Sequence, residues 1–152
     1  MDAVTRALRS ISPQARRLRR LAAIAGAAEA QAAILRRHAA ITRLPGFRQA
    51  LESLAAAESA DAKALRELLL THRLWPIPPA PAVTEGSNNW QRISLDLQAE
   101  IEMARALGRA IAEWEGRDRQ LAAELRTIAA HKEEIAGHLR DLALRCDPQA
   151  LD

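Results

Sequence analysis

Two carboxylates interrupt an apolar line in the stretch FRQALESLAAAESADAKALRELLLTH. Counting in steps of four and three gives Phe47, Leu51, Leu54, Glu58, Asp61, Leu65, Leu68 and His72, one stripe down a helix face. Further along, Ile93, Leu97, Glu100, Ala104, Leu107, Ile111 and Trp114 repeat the pattern, with Glu100 as the interruption. An ionised carboxylate taken out of water is costly unless it is paired, hydrogen-bonded or bound to a metal. Without a metal, the answers are a wet seam, an Arg or Lys partner across the bundle, or a helix turned so that its buried face lies elsewhere.

The elements that must position these groups are four long helices. Ser12-Pro13 is a helix start, with Ser as N-cap and Pro in the first turn, and the pattern runs to about residue 43. Its seam passes through Leu18, Ala22, Ala25, Glu29 and Ala32, or along the more apolar line Leu21, Ala25, Ala28, Ala32, Leu35, which puts Glu29 on the seam or at its edge. Leu44-Pro45-Gly46 breaks the chain, and a second helix is expected over about 47–73. A third is expected over about 89–115. Gly116-Arg117-Asp118 makes another tight break before a fourth, over about 118–145. The fourth carries the stripe Leu121, Leu125, Ile128, Ile135, Leu139, Leu142, with His131 and His138 seven residues apart beside it.

Helices of about 27 to 31 residues span roughly 40 to 46 Å. Tight turns make the first antiparallel to the second and the third antiparallel to the fourth. The connection LWPIPPAPAVTEGSNN holds four of the seven prolines and is not helical. Extended at roughly 3.1 Å per residue, about 14 of its residues reach about 43 Å, the length of the bundle. A simple up-down hairpin needs far fewer, so the pattern favours one long crossover between the second and third helices. The expected fold is all-α, a single four-helix bundle over 13–152 preceded by a basic extension, 1–12.

The composition agrees. Of 152 residues, 49% are apolar but only 3% aromatic, which suits closely approaching, Ala-rich helices rather than strands. Cys146 is the single cysteine, so no internal disulfide or thiolate cluster can form, and a cytoplasmic setting is the expectation. Neither a signal peptide nor a membrane-spanning run stands out. No Gly-rich phosphate loop, HExxH motif or Ser-based triad is present. The net charge of +3 is uneven: residues 1–20 carry six arginines against Asp2 alone, +5, leaving −2 for the rest. Arg16, Arg17, Arg19 and Arg20 could contact nucleic acid weakly through phosphates, since no aromatics are interleaved for base stacking.

Two tight hairpins, one long crossover and mid-helix carboxylates resemble the ferritin-like superfamily. The resemblance is closest over DLQAEIEMARALGRAIAEWEGRDRQLAAELRTIAAHKEEIAGHLRDL, which is similar to the third and fourth helices of bacterioferritin. It implies a ferritin-like bundle with a di-iron site built from Glu, Glu-x-x-His, Glu and Glu-x-x-His on successive helices. On this chain those positions fall on Glu29, on Glu58 with Asp61 in place of the histidine, on Glu100, and on His131, where Ile128 replaces the expected glutamate. The implied metals are iron or manganese, and the implied chemistry is Fe(II) oxidation or O2/peroxide chemistry in a homo-oligomer. The rival expectation is a non-enzymatic bundle with a vestigial polar core, acting in oligomerisation or nucleic-acid binding.

Overall fold

The computed structural model describes residues 12–72 and 86–146, and within them four helices: α1 (Pro13–Ile41), α2 (Pro45–Thr71), α3 (Asn89–Trp114) and α4 (Arg119–Leu144). Three begin on a side-chain cap. Ser12 Oγ accepts from the Ala15 N–H at 3.1 Å, Asn88 Oδ1 from Gln91 at 2.9 Å and Asp118 Oδ1 from Leu121 at 2.9 Å, each satisfying an orphan donor. Helix α2 has Leu44 at its N-cap with no such bond, and it starts two residues before Phe47. Pro45 does not break this helix but opens it, because a first-turn residue needs no N–H and its fixed φ suits the helix. The break itself is Thr42–Leu44, pinned by Arg48 Nη2 donating to the Thr42 carbonyl at 3.0 Å.

Cross-bundle pairs fix the helix directions. Arg20, early in α1, pairs with Glu113, late in α3, whereas His38, late in α1, bonds Asp96, early in α3. Likewise His72 lies 3.9 Å from Asp118, and Asp61 lies 2.9 Å from His131. Thus α1–α3 and α2–α4 are antiparallel neighbours, as are the two hairpin pairs, while α2 and α3 are diagonal and parallel. Helix α3 therefore starts at the end of the bundle opposite to where α2 stops, an arrangement compatible with a ferritin-like bundle. The proline-rich stretch, 73–85, lies outside the described residues, as do 1–11, most of the basic extension, and 147–152.

A polar layer divides the core. One apolar cluster gathers Leu21, Ala25, Leu65, Leu107, Trp114 and Leu125, and another gathers Leu35, Phe47, Leu51, Ile93, Ile135 and Leu139. Between them every helix contributes a buried polar group: Gln31 from α1, Glu58 and Asp61 from α2, Asp96 and Glu100 from α3, Lys132 from α4. Among the described residues no helix is long and apolar enough to cross a membrane.

Candidate functional site

The heptad count that places Glu58 and Asp61 on the inner face of α2, and Glu100 on that of α3, brings these carboxylates to one point. That point is occupied by Lys132. Its Nζ donates to Glu58 Oε1 and lies 3.5 Å from Asp61 Oδ2 and 3.8 Å from Glu100 Oε2. Lys132, Glu58 and Glu100 are fully buried. A cation held by three carboxylates out of contact with water is an ion cage, tolerable only because the charges meet.

One cage carboxyl is neutral. Burial, then the neighbouring Glu58 charge, pushes Glu100 up to about 9, against the pull of Lys132. Burial raises Glu58 too, but Lys132 acts on it both as a charge and as a hydrogen-bond donor. The cage carboxyl that keeps its proton at neutral pH is therefore Glu100. Heavy-atom geometry gives Glu58 Oε2 and both Glu100 oxygens no donor. A proton on Glu100, within hydrogen-bonding reach of Glu58, supplies one.

Asp61 links the cage to the surface. Its Oδ2 faces Lys132, while Oδ1 meets His131 Nδ1 at 2.9 Å, and His131 itself is half-exposed. Glu29 does not join them. It lies at the bundle edge, paired with Arg66 of α2, because α1 buries the more apolar of its two candidate lines, Leu21, Ala25, Ala28, Ala32 and Leu35. Of the five residues expected to bind metal, four are thus brought together and one is not. His138 lies beside a groove described below.

The four-three count through Leu125, Ile128, Ile135 and Leu139 lands on Lys132, a buried position that its charged residue type hides in the sequence. A second buried network joins α1 to α3. Asp96 Oδ1 accepts from Gln31 Nε2 at 2.9 Å, and Asp96 Oδ2 meets His38 Nδ1 at 2.7 Å, all three side chains being buried. Its signal was the seven-residue spacing of Gln31 and His38 on one face of α1.

These residues do not fit a di-iron or di-manganese centre. The carboxylates converge on an ammonium, one of them is protonated, Glu29 is elsewhere, and the buried Ile128 side chain offers no donor. Among the described residues no three His, Cys, Asp or Glu side chains are arranged to hold a metal ion.

On the outer side of the same seam α2 and α4 part, leaving a groove of about 1090 Å³. Its floor is apolar, with Leu54, Leu68, Ile128, Ile135 and Leu142. Ala50, Ser53, Ala57, Ala60 and Ala64 form the α2 wall, and Glu124, His131, Glu134, His138, Asp141 and Arg145 stand on the α4 side.

No protein-family model matches the chain, and no curated protein matches it. Fold and site define an all-α four-helix bundle whose polar middle layer is neutralised from within.

Proposed function

We propose that the protein is a non-enzymatic helical bundle that works through its outer surfaces, its core closed by Lys132 instead of a metal ion. The observation that carries this reading is the position of Lys132 Nζ, within ion-pairing distance of Glu58, Asp61 and Glu100 at once. Metal catalysis needs open coordination positions and deprotonated ligands. A lysine tethered to α4 offers neither an exchangeable position nor a redox centre. Elemental analysis after incubation with Fe(II) or Mn(II), together with the absorbance of oxidised iron, tests it. The expected result is substoichiometric metal and no oxidation above the buffer rate, and one or more tightly held ions per chain refutes it.

The ferritin-like, iron- or manganese-binding reading has in its favour that Glu58, Asp61, Glu100 and His131 do assemble. It requires Lys132 to leave, so it predicts that Lys132→Ala raises metal uptake. Weak phosphate binding has its own support in a cleft of about 270 Å³ lined by Arg16, Arg17, Arg20 and Arg117, although Arg20 already pairs with Glu113. Retention on immobilised DNA that falls steeply with salt is its signature.

A further inference from the structure

The cleft between the start of α1 and the end of α3 holds more positive charge than the fold requires, and we infer that it is a binding site for a compact, multiply charged oxyanion of the pyrophosphate class, free in solution. The inference rests on the phosphate-binding reading above and names the ligand.

Placement is the first argument. Arg16, Arg17 and Arg20 fall within about two turns of the Ser12 cap, and Arg117 stands on the turn that follows α3. All four line one cleft of about 270 Å³. The macrodipole of α1 puts partial positive charge at this end, where acids are favoured and bases are not. The first turn of α1 nevertheless has no acidic residue. Its three arginines add to the dipole field instead of offsetting it, and an anion at the helix start is what balances both.

Charge imbalance is the second argument. Glu113 is the one acid on the cleft wall, partly buried and paired with Arg20. Arg16, Arg17 and Arg117 have no acidic partner among the described residues. A concave surface lined by one sign of charge focuses its field on the space between its walls. Guanidinium groups present planar forks of donors that match phosphate oxygens. Glu113 thus holds one of the positions that a ligand oxygen takes, and the ligand competes with it for Arg20.

Size and lining choose the ligand. The volume falls just under the ordinary range of small-ligand pockets, roughly 300–1,000 Å³, which suits a charged head and not a whole nucleotide. Pro13 and Ala112 supply the uncharged wall, and among the described residues no aromatic side chain lines the cleft for a base to stack on. The arginines meet at one point, whereas a duplex carries a charge about every 1.7 Å and is followed by a stripe.

Calorimetric titration of the full chain with inorganic pyrophosphate tests this, at about 0.1 M salt, where the screening length is about 10 Å, with circular dichroism to confirm folding. One saturable site per chain is expected. Arg17→Ala and Arg117→Ala should each weaken binding roughly tenfold, the loss of one charge-assisted contact. Arg19→Ala, on the same helix but off the cleft, should weaken it much less. Glu113→Gln should tighten binding several-fold, because it frees Arg20 and removes the competing charge. Glu102→Gln makes the same change in net charge about 16 Å earlier along α3 and should leave the affinity as it was. A chain that takes up no pyrophosphate saturably overturns the inference. So does an Arg19→Ala loss equal to that of Arg17→Ala, or a tightening that Glu102→Gln shares, since either marks a diffuse charge effect and no site. Retention on immobilised DNA without pyrophosphate binding also overturns it, and leaves the broader phosphate-backbone reading standing.

Discussion

Glu100→Gln probes the cage at the group whose folded environment differs most from water. Glu100 is fully buried and its carboxyl is pushed up to about 9 from 4.5, first by burial and then by the Glu58 charge. The folded pKa lies above the unfolded one, so between those two values the folded chain holds a proton that the unfolded chain has released. The stability tied to Glu100 is therefore complete below about pH 4.5 and is lost as pH rises through 9. One such group gives a slope of about 1.4 kcal/mol per pH unit, or about 4 kcal/mol between pH 5 and 8. Glutamine keeps the shape and can still donate to Glu58, but takes up no proton. Urea denaturation followed by circular dichroism at pH 5, 6, 7 and 8 should show Glu100→Gln gaining on the wild type at each step. Salt should change little, because the cage is out of reach of ions. A difference that stays constant across this range means Glu100 does not take up a proton on folding, and the protonation scheme of the cage is then wrong.

Three further substitutions separate inside from edge. Lys132→Met removes the only cation from the cage and should cost about 3–5 kcal/mol at pH 7 in urea denaturation, less at pH 5 where Glu58 can protonate. Glu29→Ala removes a partly exposed pair with Arg66 and should change the unfolding free energy by less than about 1 kcal/mol; a loss as large as that of Lys132→Met would place Glu29 in the core. Asp96→Ala strands the buried His38 and Gln31 together and should cost about 2–4 kcal/mol, read as a lowered urea midpoint at unchanged m-value.

The fold was legible because its signals are local and repeated. Ser12, Asn88 and Asp118 cap the helices they precede, and the heptad lines of α2 and α3 bury Glu58, Asp61 and Glu100 as counted. The length of the proline-rich stretch matches parallel, diagonal α2 and α3. Legibility failed where two stripes competed. On α1 the presence or absence of one carboxylate decided between lines a few residues apart, and burying Glu29 would have required a partner that Arg66 provides more cheaply at the edge. On α3 the buried face includes Asp96, Met103 and Ala110, so it is turned from the line through Leu97 and Ala104. On α4 the imidazole of His131 stands one residue before the true seam position, Lys132, and it is the side chain that suggests a metal. A lysine in a heptad looks like an error until its three partners, more than thirty residues away along the chain, are placed around it.

The cage and the groove are two sides of one seam, and this gives the last prediction. Helices α2 and α4 approach less closely than α1 and α3, and they are joined at mid-height by Lys132 to Glu58 and Asp61, with Asp61 reaching on to His131 at the groove. Inside, these bonds hold the two helices together; outside, the parted helices leave the groove. Lys132→Met should therefore loosen the α2–α4 seam, seen as faster amide hydrogen exchange in α2 and α4 than in α1 and α3 at a pH where the bundle remains folded. Asp96→Ala acts on the α1–α3 seam and should speed exchange there instead. Hydrogen exchange of both variants at pH 6, with circular dichroism confirming the fold, compares them directly. Equal changes in all four helices of both variants would mean that each network acts on overall stability alone, and that the cage has no particular hold on the groove.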